Sequence, residues 1–139
     1  MGGWDMVYRR RLDELAVWNN GTAVLTIARV GSAAITAAAA AAGTTYQVRL
    51  RLADANGDPL SWGNFTLAAS IGDTVAHGGT VPTLDDATPT LAGGETLVTV
   101  TLPAGTYVAD ETVTVTLADF TAPDGRTLTG GTSVLTIAA

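Results

Sequence analysis

The sequence contains no cysteine, no lysine and a single histidine, His77. The absence of cysteine excludes a disulfide framework and any thiolate metal site. A serine hydrolase needs a nucleophile beside an oriented base, and nothing around Ser61 or Ser70 marks either serine for that role. We therefore expect His77 to lie in an exposed loop, and we expect a protein that is not an enzyme and uses no cofactor.

Long hydrophobic runs are also missing. No stretch reaches the eighteen or so uninterrupted apolar residues of a membrane helix, and the nearest, residues 23–42, is rich in alanine and broken by Arg29. We therefore expect no membrane partner. Only 14% of the residues are charged whereas 47% are hydrophobic, a composition that favours buried contacts with other proteins.

The charges are unevenly distributed along the chain. Residues 1–51 hold six arginines against three acids, a balance of +3, whereas residues 52–139 hold one arginine against ten acids, a balance of −9. The acidic part would repel phosphate, so we expect no nucleic-acid partner. Opposite potentials at the two ends suit head-to-tail contact between copies. The alternative is a solvated surface whose asymmetry has no role.

The clearest pattern is the alternation of apolar residues and threonine in three runs, residues 97–102, 113–117 and 134–137. Side chains alternate across a strand, so each run places aliphatic residues on one buried face. The runs predict a three-stranded antiparallel sheet. The turns Leu102–Tyr107 and 122–125, which contain proline and glycine, would join its strands.

Tyr107 opens the second of these predicted strands. Ig-like sandwiches often place a tyrosine at this point, and its hydroxyl donates a hydrogen bond back to the preceding corner. We expect the hydroxyl of Tyr107 to make the same contact. The alternating runs predict an all-β fold, and a tyrosine at this point is typical of an Ig-like antiparallel β-sandwich.

Two more strands are predicted upstream. Residues 46–52 alternate between apolar and polar side chains, which gives one core face and one charged face. The turn 54–59 follows, and a second strand is predicted over residues 65–71. Residues 72–94 are rich in glycine, threonine, aspartate and proline, and we expect them to form a long loop.

Within the turn, Asp54, Asn56 and Asp58 have the spacing of the first ligands of an EF-hand calcium loop. The position of the required glycine holds Pro59, and the position of the bidentate glutamate holds Phe65. A β-turn explains the three residues better, so they are weak metal candidates and we predict no metal site.

The first part of the chain allows two structures. The helical spacing of its apolar residues predicts a short helix over residues 5–18, whereas Asn20 and Gly21 favour a hairpin turn. Aromatic residues and arginines concentrate here and are typical interface anchors, although they would equally cover an open edge of the chain's own sheet. The residues that we expect at an assembly interface are Trp4, Tyr8, Arg9, Arg10, Arg11, Trp18, Leu25 and Ile27.

Residues 21–28 match residues 131–138 at every position but one. Two strands of one sheet would explain the repeat. A sharper hypothesis is that the first strand of one copy adds to the sheet edge of another copy. Between these segments, the alanine-rich residues 32–43 suit either a short helix, with Ser32 as its cap and Gly43 at its end, or extended chain.

The order of these motifs resembles the small Ig-like domains of tailed-bacteriophage virion proteins, including baseplate upper proteins, tail-fibre proteins and head decoration proteins. The residues that carry the resemblance are Asp54–Leu60, Leu102–Tyr107, Val113–Leu117, Pro123–Leu128 and Gly130. The resemblance covers about residues 45–139 and departs over residues 72–94, which are longer than expected.

The resemblance implies a structural protein of the virion, acting in capsid decoration or in the tail, whose partners are other copies of itself and other virion proteins. We expect a sandwich over residues 45–139, preceded by an N-terminal arm over residues 1–44 through which an oligomer assembles. Two alternatives stay open. One is a module that binds a surface carbohydrate or receptor, such as a host glycan, through Trp62 and residues 72–94. The other is a pilus-like subunit that polymerises by strand exchange.

Overall fold

The computed structural model describes residues 23–54, 56–61, 64–77, 80–121, 125 and 127–139. These residues are mostly β-structure, in antiparallel sheets that curl into a half-barrel. The described elements are β1 (Val24–Arg29), α1 (Ala37–Ala41), β2 (Thr44–Ala53), β3 (Asn64–Thr66), β4 (Ala69–Asp73), β5 (Thr83–Leu84), β6 (Thr90–Ala92), β7 (Glu95–Leu102), β8 (Thr112–Leu117), β9 (Phe120–Thr121), β10 (Thr127–Leu128) and β11 (Gly131–Thr136). The prediction of an all-β fold is confirmed.

The strands form two main sheets. The larger sheet has the order β1-β2-β7-β6-β3, and β5 pairs with β7 beside β6. Its longest pairing joins β2 to β7, from Thr44 opposite Leu102 to Arg51 opposite Glu95. The smaller sheet has the order β11-β8-β4, and β9 and β10 form a separate two-stranded ribbon.

Alternation along the strands builds the core. On β2 the inward side chains are buried and the outward ones are exposed or half-buried, as the sequence predicted. The same alternation on the central strands of both sheets buries an aliphatic layer. Its fully buried members include Val48, Leu50, Leu52, Val98, Val100, Leu102, Val113, Val115 and Ile137.

The predicted three-stranded sheet is wrong. β7 pairs with β2 in the larger sheet, whereas β8 and β11 pair with each other in the smaller one. Residues 103–111 are therefore a crossover between sheets, and Tyr107 lies within this crossover, ahead of β8. Strands that pair and strands that face each other across a core need the same apolar face, so the alternation could not distinguish the two arrangements.

The predicted strand over residues 65–71 is two strands, β3 in the larger sheet and β4 in the smaller. The chain changes sheets at Leu67, which is 3% exposed and belongs to the core. Residues 72–94 are not one long loop. The end of β4 and the short strands β5 and β6 lie within them, and β5 and β6 both pair with β7.

The alanine-rich segment forms the short helix α1. Its N-cap is Thr36, whose hydroxyl accepts a hydrogen bond from the backbone of Ala39, so Ser32 is not the cap. Gly43 follows the helix with φ of +83°, a conformation that glycine adopts without a Cβ penalty. Ala40 is fully buried against the core.

β1 belongs to the larger sheet. Six residue pairs join it to β2, from Val24 opposite Ala53 to Arg29 opposite Val48. β1 and β11 are therefore in different sheets, although the backbone nitrogen of Leu25 donates to the carbonyl of Thr129, next to β11. In the part of the chain that the structure describes, no helix is long and apolar enough to cross a bilayer.

Candidate functional site

A polar cluster lies at one end of the smaller sheet, where β4 ends and β8 begins. Asp73 is the last residue of β4, His77 lies in the segment after it, and Glu111 immediately precedes β8. The pairing of β4 with β8 brings Asp73 opposite Val113. The side chains of Asp73, His77 and Glu111 are only 4%, 5% and 0% exposed. Strand pairing thus collects three ionisable groups in a buried position.

Backbone contacts fix the two segments against each other just beyond the strands. The backbone nitrogen of Thr74 donates to the carbonyl of Thr112 at 3.0 Å. In return, the backbone nitrogen of Thr112 donates to the hydroxyl oxygen of Thr74 at 3.0 Å. This reciprocal pair extends the β4 to β8 pairing by one step, and it holds the polar cluster close to the rigid sheet.

Both carboxylates meet the same nitrogen of the histidine. Oδ2 of Asp73 lies 3.1 Å from Nε2 of His77, and Oε1 of Glu111 is in hydrogen-bond contact with the same atom. The remaining carboxylate oxygens accept from the backbone. Oδ1 of Asp73 accepts from the nitrogen of Val75 at 3.0 Å, and Oε2 of Glu111 accepts from the nitrogen of Val108 at 3.2 Å. The main chain therefore orients each carboxylate through one oxygen, and the other oxygen contacts the imidazole.

Tyr107 forms the apolar wall of the cluster. Its ring centroid lies 4.5 Å from that of His77, with an angle of 36° between the ring planes. Its hydroxyl donates to the carbonyl oxygen of Pro103 at 2.8 Å, which confirms the predicted bond to the preceding corner. Tyr107 thus fixes the crossover between the sheets and covers one side of the imidazole.

The electrostatics of the cluster favour a charged imidazole. The hydrogen bond to Glu111 raises the pKa of His77, and the negative charges of Glu111 and Asp73 raise it further, whereas burial opposes the rise. The pKa of the Tyr107 hydroxyl is raised by its burial and by the two nearby carboxylates. The cluster can therefore hold a proton between two carboxylates. Its three ligand atoms lie within 4.8 Å of one another, so it could also hold a metal ion.

The prediction of an exposed loop histidine is wrong. His77 is the imidazole of a buried network, and Glu111, which sequence reasoning did not select, is the most buried acid of that network. One signal was available, because the only histidine of the chain follows Asp73 by four residues. Glu111 is 34 positions further along the chain, and no local spacing connects it to His77.

The weak calcium candidates form a turn. Oδ1 of Asp54 accepts from the backbone nitrogens of Asn56 and Asp58 at 2.9 and 3.0 Å, and Gly57 has φ of +86°. The Asp54 side chain therefore replaces a backbone acceptor inside the turn. This confirms the β-turn predicted for these residues.

The two predicted interface residues that the structure describes do not join the cluster. Leu25 is 4% exposed and, with the partly buried Ile27, packs into the core of its own chain. Two arginines of the predicted positive half lie on the outer face of the larger sheet, where Arg49 and Arg51 both pair with Glu95 at 3.0 and 3.3 Å. The predicted interface residues Trp4, Tyr8, Arg9, Arg10, Arg11 and Trp18, together with Trp62 of the carbohydrate alternative, lie outside the described residues.

Comparison with known proteins identified no similar protein. No family model matches the chain, and no curated protein or solved structure matches it either.

Proposed function

We propose that the chain is an Ig-like β-sandwich that serves as a non-enzymatic structural component of a tailed-phage virion. The order of the strands is the observation that carries the proposal. In immunoglobulin constant domains one sheet has the order A-B-E-D and the facing sheet has the order G-F-C. Here β1-β2-β7-β6 with β5 corresponds to the first sheet, to which β3 is added at the edge beyond β6, and β11-β8-β4 corresponds to the second.

The corner tyrosine supports the same assignment. Ig-like domains carry a tyrosine near the start of strand F whose hydroxyl bonds back to the backbone a few residues upstream. Tyr107 precedes β8, which is strand F in this correspondence, and bonds to the carbonyl of Pro103. Of the motifs that resemble virion domains, Val113–Leu117 lies in β8 and Leu102–Tyr107 leads from β7 to the corner tyrosine. A fold does not dictate a function, so the proposed role depends on how the module assembles.

Assembly is assigned to residues 1–22. This segment contains two of the three tryptophans and three of the seven arginines of the chain. Aromatic residues and arginine are the side chains that most often dominate binding energy at protein interfaces. The strand β1 that follows is paired along its whole length with β2, so a truncation that keeps this pairing removes residues 1–22 and leaves β1 in place.

Light scattering on the full chain and on a chain lacking residues 1–22 tests this proposal. We expect the full chain to form an oligomer of defined mass and the truncated chain to be a folded monomer with the same far-UV circular dichroism per residue. A matched variant, Trp18→Ala in the full chain, should weaken the oligomer without changing the fold. Equal masses for the full and truncated chains would refute assembly through this segment, and unfolding of the truncated chain would refute a separate assembly arm.

A further inference from the structure

We propose that Asp73, His77 and Glu111 form a binding site for one divalent transition-metal ion of the zinc type, which joins β4 to the crossover that leads into β8. The proposed metal site goes beyond the proposed function and does not depend on it. It assigns the chain's single histidine and two buried carboxylates to a structural cation.

The geometry of the donor atoms suits such an ion. Zinc bonds to nitrogen and to carboxylate oxygen are about 2.1 Å long, so donor atoms around a tetrahedral ion lie about 3.4 Å apart. Nε2 of His77 and Oδ2 of Asp73 are 3.1 Å apart, and the three ligand atoms all lie within 4.8 Å of one another. A small adjustment of buried side chains would therefore place one ion in contact with all three.

The hydrogen-bond inventory points to a cation as well. Nε2 of an imidazole carries at most one proton and can donate one good hydrogen bond, yet two carboxylate oxygens meet this atom. The other oxygen of each carboxylate is already bonded to the backbone, at Val75 and Val108. A cation that accepts the lone pair of Nε2 satisfies both remaining oxygens at once, because metal binding replaces the proton.

The charge of the cluster leads to the same conclusion. Two carboxylates with side chains 4% and 0% exposed surround one imidazole, so the group is negative even when the imidazole is protonated. Buried charge is costly unless it is paired or bound to a metal. A divalent ion with a neutral imidazole and two carboxylates brings the net charge to zero.

The surroundings of the cluster resemble those of an ordered metal site. Ligands of such sites are usually held by hydrogen bonds from outer partners, and here the main chain fills that role for both carboxylates. An open cleft of about 450 Å³ lies against His77, between residues 75–77 and residues 105–108. A second cleft of about 610 Å³ lies beside Asp73. Either cleft gives the ion a route of entry and room for a water molecule as fourth ligand.

The ligand set also selects among metals. One nitrogen and two carboxylate oxygens, without sulfur, suit Zn²⁺, Co²⁺ and related ions, whereas Mg²⁺ and Ca²⁺ prefer sites made entirely of oxygen. The chain has no cysteine and no second histidine. A histidine-dependent zinc site in this protein must therefore include His77.

The test is a calorimetric titration of Zn²⁺ into the full chain, purified without a histidine tag and stripped with a chelator. We expect one ion per chain, a higher melting temperature when Zn²⁺ is present, and no comparable rise with Mg²⁺ or Ca²⁺. Titration with Co²⁺ should give visible absorption bands of a low-symmetry, four-coordinate or five-coordinate ion. Absence of binding by the stripped wild-type chain at about 1 mM Zn²⁺, well above the concentrations at which structural zinc sites fill, would overturn the proposal.

Variants locate the site. His77→Gln and Asp73→Asn should each lower Zn²⁺ affinity by at least about 100-fold, because even the outer partners of metal ligands are worth about 10-fold to 100-fold. The matched control is Asp58→Asn, which removes an exposed carboxylate of the turn and should leave affinity unchanged. Equal Zn²⁺ affinity in wild type and His77→Gln would overturn the proposal. If His77→Gln fails to fold, the imidazole nitrogen resonances of wild-type His77 decide the matter, since they must shift when Zn²⁺ is added.

The metal-site proposal and the assembly proposal can be refuted independently of each other. A chain that binds Zn²⁺ but never forms an oligomer retains the metal site and loses the proposed role of residues 1–22. A chain that assembles but binds no Zn²⁺ has a buried proton-sharing cluster in place of a metal site.

Discussion

Leu50, in the hydrophobic core, and Glu111, beside His77, are both removed from solvent, since 0% and 2% of the surface of each whole residue, backbone included, is exposed. They are stabilised by opposite means. Leu50 gains from the removal of apolar surface from water, a contribution that has no direction and tolerates many neighbours. Glu111 is tolerated only because Val108 and His77 meet its two oxygens.

This difference shows at which positions of the molecule the amino acid can be replaced and at which it cannot. In the aliphatic layer, another hydrophobic side chain of similar volume would keep most of the stability. In the polar cluster, replacement of one polar group leaves another buried group without its hydrogen-bond partner. The contributions of the three residues to stability therefore depend on one another. Buried negative charge is costly unless it is compensated, which is why we assign a cation to the cluster.

The largest effect that we expect is a difference in stability between substitutions on the buried face and on the outer face of the larger sheet. Leu50→Ala should lower the free energy of unfolding by about 2 to 5 kcal/mol, because it leaves a cavity in the core. Leu97→Ala is the matched control, since Leu97 lies on the neighbouring strand with 45% of its surface exposed. The control should change stability by no more than about 0.5 kcal/mol. Urea denaturation of both variants measures the contrast, and equal losses would contradict the assignment of the buried face.

A smaller effect distinguishes two buried tyrosines. Tyr107→Phe should cost about 0.5 to 1.5 kcal/mol, because it removes the bond to Pro103. The hydroxyl of Tyr46 is also buried but has no hydrogen-bond partner among the described residues, and burial raises its pKa to about 12, with Arg29 opposing the rise. Tyr46→Phe should therefore raise stability by about 1 kcal/mol, since it removes an unsatisfied polar group. A lower denaturant midpoint in both variants would show that the hydroxyl of Tyr46 has a hydrogen-bond partner.

The last prediction concerns how the stability of the chain changes with pH, and it applies to the chain kept free of metal by a chelator. The folded pKa of His77 lies above the ordinary value of 6.5. The stabilisation from its protonation is therefore fully present below about pH 6.5 and is lost as the pH rises through the folded pKa. The tyrosines do not interfere below about pH 9, because their ordinary pKa is about 10.

Stability of the metal-free chain should accordingly fall as the pH rises above about 6.5, and His77→Gln should lack this decline. Thermal melts at a series of pH values measure the difference. Parallel curves for wild type and His77→Gln would show that the imidazole gains nothing from Asp73 and Glu111. With Zn²⁺ bound, the decline should disappear, because the metal takes the place of the proton.

Much of the fold was predictable because it depends on local pattern. The alternation over residues 46–52 identified the buried face of β2 correctly, and the bond of Tyr107 to its corner followed from the tyrosine beside a proline and glycine turn. The partner of each strand was not predictable in the same way. β7 and β8 present equivalent apolar faces, and only the tertiary structure decides that they lie in different sheets instead of pairing.

The cluster was beyond prediction for a related reason. Asp73 and His77 are close in sequence, but an isolated histidine beside glycines usually lies in an exposed loop. Glu111 joins them only through the pairing of β4 with β8. A charged residue ahead of a strand gives no sign of whether its side chain will point to solvent or into the protein.

The sequence by itself determined where the long strands β2, β7, β8 and β11 run and which face of each is apolar, because these properties depend on side-chain periodicity. The tertiary structure alone decided which strands are neighbours and which polar groups meet. Those outcomes depend on contacts between residues far apart in the chain, and each contact contributes its free energy only when the rest of the fold is in place.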